Sequence, residues 1–264
     1  MFIQSRRRQL SQVFLTNPQL VSRLVRESSI TKNDTVIEIG PGKGAITREL
    51  LERARQVMAI EIDQQLGASL VNTYTDNPSF ILFTADFLTF ILPKTPYKVF
   101  SNIPFHIEGE ILRKLLADKA FREGWLVVLR EVGMRWAGLP HEGEFSVLHK
   151  PWFDFTIAHY FNRRDFNPQP TLDTVLLRII RRDAPLITKE QEKEWERFVR
   201  IGFGGGRRLK QNLRPLFSVQ TLQKTAERNR FSINDKPSDL TIEQWLMIFK
   251  EHKRNAIHYP NDYF

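Results

Sequence analysis

Four consecutive residues carry the chain's most specific chemistry: Asn102, Ile103, Pro104 and Phe105. They stand behind Ser101 and a short β-like run, Tyr97 to Phe100. An amide side chain and a proline-fixed backbone carbonyl at a strand end can both accept hydrogen bonds, and an aromatic ring one residue later can lie flat over a planar ligand. Those parts can hold the exocyclic amino group of a base and stack its ring. The same residues also describe a strand leaving a core through a proline turn, with Phe105 simply packed. The rest of the chain has to separate the two readings.

Upstream, Gly40-Pro41-Gly42-Lys43-Gly44 follows a buried-strand pattern, Thr35 to Ile39, and opens a helical one. Glycines there let backbone approach a ligand closely. The spacing is not the G-x-G-x-x-G of dinucleotide folds, and Pro41 stiffens it. Glu61 lies about twenty residues on, at the end of the next strand, where an acid binds ribose hydroxyls. Asp86 closes the third strand and could accept from an adenine amino group. One acid at a strand end is usually a turn former, but two in consecutive units beside a glycine turn mark a nucleoside site. Ligands of open α/β sheets bind at that carboxyl edge.

The elements that must carry these residues alternate. Leu20, Val21, Leu24 and Val25 recur at helical steps behind Asn17 and Pro18, a cap and a first helical residue. Strands are expected at Thr35–Ile39, Val57–Ile62, Phe80–Thr84, Tyr97–Phe100 and Trp125–Leu129. Two more, Phe153–Phe161 and Thr174–Ile180, lack a helix-length connection and should form an antiparallel hairpin near a sheet edge. This predicts an α/β, Rossmann-like fold with a mostly parallel sheet. After a linker at 181–185 the pattern is helical, with capping-box pairs at Thr188/Gln191 and Thr241/Gln244. The division is a catalytic domain at 1–182 and a small all-helical domain at 183–264. Gly204-Gly205-Gly206 interrupts the latter with a flexible turn leading into Arg207, Arg208 and Lys210.

The 264 residues carry 39 Lys and Arg against 30 Asp and Glu, a formal charge of +9, which favours a polyanionic partner. Basic clusters for phosphates are Arg6, Arg7 and Arg8 in an N-terminal arm, Arg163 and Arg164, and Arg207, Arg208 and Lys210. With no cysteine, disulfides, zinc–cysteine sites and thiol catalysis are excluded, and a reducing cytosol is compatible. No apolar run approaches the roughly 18 residues of a membrane span, and Met1 to Leu10 has no apolar stretch of a secretory signal. No metal-ligand cluster stands out among the six histidines.

The glycine turn with Glu38 and Ile39, the acids Glu61 and Asp86, and Asn102 to Phe105 resemble the S-adenosylmethionine-dependent rRNA adenine-N6 methyltransferases. Within them the chain is most similar to the Erm group, which confers macrolide, lincosamide and streptogramin B resistance. The likeness continues through Leu126 to Val132, Lys150 to Phe153, Asp165 to Pro170 and Asp239 to Trp245, nearly the whole chain. It implies a seven-stranded methyltransferase domain with S-adenosyl-L-methionine as cofactor and 23S rRNA as partner, before ribosome assembly. It also implies a cytoplasmic monomer needing no metal. By the same resemblance Gly40, Gly42, Glu61, Asp86 and Asn102 hold the cofactor, with Gln12 and Leu15 closing the site. Asn102 and the carbonyl of Ile103 or Pro104 accept from the target amine, and Phe105 and Phe166 stack the flipped base.

Val13 departs from the family's usual Ser-Gln-Asn-Phe-Leu, where an Asn stands. Two other readings are compatible with this sequence: a small-subunit rRNA dimethyltransferase, against which Lys43 and Ile103 argue, and a non-catalytic RNA-binding factor with a degenerate cofactor site. A nicotinamide dehydrogenase fits poorly, lacking both the glycine spacing and a Tyr-x-x-x-Lys pair.

Overall fold

The computed structural model of the protein describes residues 13–258. In chain order its strands and helices are β1 (Phe14–Leu15), α1 (Pro18–Glu27), β2 (Thr35–Ile39), α2 (Ala45–Arg53), β3 (Gln56–Glu61), α3 (Gln64–Tyr74), β4 (Phe80–Thr84), β5 (Tyr97–Asn102), α4 (Glu108–Ala117), β6 (Phe121–Leu129), α5 (Arg130–Ala137) and α6 (Glu144–His149). They continue with β7 (Phe153–Tyr160), β8 (Phe166–Asn167), β9 (Thr174–Arg181), α7 (Glu192–Gly202), α8 (Leu209–Asn212), α9 (Val219–Arg228) and α10 (Ile242–His258).

Seven strands form one sheet in the order β4-β3-β2-β5-β6-β9-β7. β4, β3, β2, β5 and β6 run parallel, and β9 lies antiparallel to β6. The parallel strands are apolar on both faces, as they must be when helices cover each side: Val36, Ile37, Val57, Val99, Leu126 and Val127 are fully or almost fully buried. β7 and β9 neighbour each other at one edge, where the missing crossover helix placed them. Arg181 ends β9, not a linker. Its guanidinium donates to the carbonyls of Phe121 and Asp118 at 2.8 and 2.7 Å.

The α1 start follows its sequence signal. Asn17 Oδ1 accepts from Leu20 N–H at 3.1 Å and Pro18 takes the first turn. Leu20, Val21, Leu24 and Val25 then face the core. A second, two-stranded antiparallel sheet pairs β1 with β8, aligning Phe14 with Asn167 and Leu15 with Phe166. Neither strand is visible to periodicity, because two residues have none.

Among the described residues the chain forms two units, one of residues up to 133 with 155–181 and the other of 134–154 with the residues from 182 on. The segment 134–154, which a division at 182 counts with the catalytic part, packs with the helices. Val147 belongs to their core with Trp195, Phe198, Trp245 and Phe249. In that helical unit Thr241 and Gln244 cap α10 reciprocally, and Gln191 accepts from Thr188 N–H at 3.0 Å. No helix among the described residues is long and apolar enough to cross a membrane.

Candidate active site

At the carboxyl edge of β2, β3, β4 and β5 lies a cavity of about 400 Å³, within the range of small-molecule sites. Gly40, Gly42, Glu61, Asp86, Asn102, Ile103, Pro104 and Phe105 all line it, as do Leu15 and the neighbouring backbone of β1. The features read separately from four strand ends therefore share one hollow.

The glycine turn works by conformation. Gly40 and Gly42 have φ of +65° and +59°, in the left-handed region. A Cβ at Gly40 would meet nothing within 4 Å, so open space faces that backbone; at Gly42 it would lie 2.5 Å from the Phe14 ring. Gly42 thus admits the ring, over which Lys43 Nζ stands at 5.2 Å from the centroid. The Gly42 N–H donates to Glu61 Oε2 and the Asp63 N–H to Glu61 Oε1, both at 3.0 Å. Each oxygen keeps a second lone pair. Asp86 Oδ1 accepts from Leu88 N–H at 2.9 Å.

Glu38, also in the cavity wall, is only 1% exposed and accepts from Thr47 Oγ1 at 2.6 Å. Burial pushes its carboxyl up to about 8; the Thr47 hydroxyl opposes the rise and Glu61 adds to it. At neutral pH this carboxyl is mainly protonated, which spares the cavity a second buried negative charge.

Asn102 is held through one end of its amide. Its Nδ2 donates to the Val13 carbonyl at 2.6 Å, while Oδ1 is occluded and has no hydrogen-bond partner among the described residues. An orphaned buried acceptor costs roughly 1–3 kcal/mol, so the site is built to receive a donor. Ser101, fully buried, accepts from Ile39 N–H at 3.2 Å and donates to Ile39 O. That stitch fixes the end of β2, where the glycine turn starts, against the start of the tetrad.

Three site features escaped the sequence. Lys114 Nζ donates to the carbonyls of Phe87, Leu88 and Phe90 at 2.6, 2.9 and 2.6 Å, pinning the turn that carries Asp86; burial lowers its pKa, with Asp86 and Asp118 opposing. Thr16 N–H and Oγ1 donate to Asp165 O at 2.8 and 3.2 Å, and Asn17 Nδ2 to Asp165 Oδ1 at 3.2 Å, tying the N-terminal wall to the later loop. Third is Glu38, whose place before the glycine turn was its only sequence signal.

The resemblance implies that Phe166 stacks the flipped base. Phe166 is 2% exposed, packs edge-on against Phe161 at 5.3 Å between centroids, and does not line the cavity. Successive side chains of a strand face opposite ways, so burying Phe166 turns Asn167 into the cavity wall. Arg163, Arg164, Arg207, Arg208 and Lys210 are exposed, outside the cavity. Gln12, Arg6, Arg7 and Arg8 lie outside the described residues. Among the described residues no group of His, Asp and Glu is placed to hold a metal ion.

A parallel sheet with an antiparallel β9, a glycine turn after the first long strand and acids on the next two strand ends define the Rossmann-like methyltransferase class. The chain belongs to the ribosomal RNA adenine dimethylase family, whose model matches residues 3–254, and is an S-adenosylmethionine-dependent rRNA adenine methyltransferase of that family. It is 30% identical over 259 residues to the ribosomal RNA small subunit methyltransferase A of Lactococcus lactis, spanning 92% of this chain and 88% of that protein. It is 35% identical over 197 residues to the rRNA adenine N-6-methyltransferase of Corynebacterium diphtheriae, spanning 75% and 77%. Among solved structures it is similar to the 23S rRNA methyltransferase ErmE, with a TM-score of 0.86 and 27% identity over 91% of this chain and 99% of that one.

The residues present fit the family's cofactor: open space over Gly40, a doubly anchored carboxylate at Glu61 and an acid at Asp86. These would hold its methionine part, ribose and adenine in turn.

Proposed function

We propose that the protein methylates N6 of one adenine in 23S rRNA, at the macrolide-binding region and before ribosome assembly in the cytoplasm, and so confers antibiotic resistance. The observation that carries the chemistry is the unpartnered Asn102 Oδ1 in the cavity wall. The likeness to ErmE over almost the whole of both chains supports the choice of target.

An adenine amino nitrogen is a poor nucleophile because its lone pair is delocalised into the ring. Asn102 Oδ1 accepts one of its hydrogens. The carbonyl of Ile103 or Pro104 accepts the other; Pro104 O also receives Ile107 N–H at 3.2 Å and keeps a second lone pair. With both hydrogens held, the nitrogen becomes more sp³-like and its pair is free to attack. Bound at the glycine turn, S-adenosylmethionine supplies the electrophilic sulfonium methyl. Phe105, on the cavity wall, stacks the flipped base. The sulfur–methyl bond would break as the nitrogen–methyl bond forms, and the proton that N6 then sheds passes to water, so positioning and electrostatics replace a strong base.

The long match to a small-subunit enzyme favours a second reading, methylation of 16S rRNA. Incubating the protein with purified 16S and 23S rRNA in parallel, with labelled S-adenosylmethionine, separates the two. Mass spectrometry of the RNA fragments then gives the target and methyl count. Label confined to one 23S adenine, with raised macrolide resistance in expressing cells, is the expected result; label confined to 16S RNA overturns the target.

A further inference from the structure

One exposed cluster lies outside the cavity but on the same edge of the sheet. Arg130 follows β6 directly, and its guanidinium carbon stands 5.5 Å from the centroid of the Tyr160 ring. Tyr160, the last residue of β7, is 52% exposed. Asp173 braces the arrangement. Arg163 Nε and Nη2 donate to its Oδ1 at 3.0 and 2.9 Å, and Arg130 Nη1 lies 3.8 Å from its Oδ2. The main chain adds a further tie, Arg130 N–H to Asp173 O at 2.8 Å.

The strand register locates the cluster. Asn102 is aligned with Val127, and Leu129 with Thr174. Arg130 is three residues beyond Val127, roughly 10 Å further along the strand direction than the level of Asn102. Leu129 N–H is held by Glu108 Oε2 at 3.2 Å, so the end of β6 is tied to the helix that follows the tetrad. Two guanidiniums against one carboxylate leave the cluster positive. A solvent-exposed cation–π pair contributes little to folding, yet this one is braced by a carboxylate shared between two arginines.

We infer that Tyr160 and Arg130 form a base-stacking platform for the ribonucleotide next to the flipped adenine. This rests on the rRNA methyltransferase reading and extends it to a site outside the reaction cavity. An aromatic face and a guanidinium plane stack any base, and enzymes that flip a nucleotide gain selectivity from its immediate neighbours. Arg163, positioned by Asp173, adds positive charge for the phosphate between the two nucleotides.

The test measures RNA binding by fluorescence anisotropy, using the full chain and a fluorescein-labelled oligouridine RNA with one central adenine. Tyr160→Ala and Arg130→Gln raise Kd about tenfold, the size expected for one base–aromatic stack, whereas Tyr160→Phe keeps the parent's affinity. Thermal melting shows which variants are folded, and Arg130→Gln serves if Tyr160→Ala is not. An abasic residue on one side of the adenine weakens the parent comparably and weakens Tyr160→Ala no further. Unchanged Kd in both folded variants overturns the platform, as does an abasic residue that weakens parent and Tyr160→Ala equally, or a parent that does not bind this RNA. The readout needs no methyl transfer. A parent that binds RNA but methylates no rRNA therefore sinks the enzymatic reading alone, and an active parent indifferent to Tyr160→Ala sinks the platform alone.

Discussion

The side-chain amide of Asn102 donates to the main-chain carbonyl of Val13 at 2.6 Å. A carbonyl can only accept, so the amide nitrogen meets Val13 and the oxygen, occluded and without a partner among the described residues, is left as the acceptor. Replacing Asn102 by Ala removes the acceptor, and replacing it by Asp removes the donor that Val13 requires. Both variants should lower the methyl-transfer rate about 100-fold or more, the scale seen when one preorganised polar group is lost from a transition state. Initial rates on rRNA, with proteins shown by circular dichroism to be folded, check this.

Gly42 and Phe14 are a matched pair. Gly42→Ala forces a left-handed φ on a residue with a Cβ, costing about 1–2 kcal/mol, and drives that Cβ to 2.5 Å from the Phe14 ring. The expected outcome is a lowered Tm and a weaker Kd for S-adenosylmethionine by calorimetry. Adding Phe14→Ala relieves the collision but not the φ, so the two losses of stability should sum to more than the loss in the double variant.

Glu38 gives a pH signature. Its carboxyl titrates near 8 in the folded protein against an ordinary value of 4.5. Between those values the native state holds a proton that the unfolded chain has released. Stability from this group therefore falls as pH rises from about 4.5 to about 8, by up to about 1.4 kcal/mol per pH unit, and then levels off. Glu38→Gln keeps an oxygen acceptor for the Thr47 hydroxyl and has nothing to ionise. Thermal melts at pH 6, inside that fall, and at pH 9, about a unit beyond its end, should show a smaller loss of Tm in Glu38→Gln than in the parent.

Lys114 acts at a distance from any ligand. Lys114→Met leaves the carbonyls of Phe87, Leu88 and Phe90 without their shared donor. Charge-assisted hydrogen bonds are worth about 1.5–3 kcal/mol each at most, and a turn released by even one of them lets Asp86 drift. KM for S-adenosylmethionine should rise several-fold while KM for RNA stays within about two-fold; a matched rise in both would instead mean general unfolding.

What could be read in the residues beforehand was whatever repeats or punctuates. The buried strands, the α1 cap at Asn17 and the capping pair at Thr241 and Gln244 each leave a local mark, and each stands where it was expected. The acids at strand ends and the tetrad were legible because a parallel sheet brings all its carboxyl ends to one edge. The pairing of β1 with β8 was not, since it joins residues about 150 positions apart through two-residue strands. The burial of Phe166 was hidden for the same reason: without β8 nothing tells which of Phe166 and Asn167 faces in. Val13 stands where the family usually has an Asn, and its contact with Asn102 runs through the backbone, which any residue possesses.

That pairing also orders events during synthesis. Phe14 leaves the ribosome early, but its strand partner Asn167 is translated only once well over half the chain exists. Until then the carbonyl that aligns Asn102 has no paired strand beside it to hold it. Competence arrives late, with the loop that closes the wall.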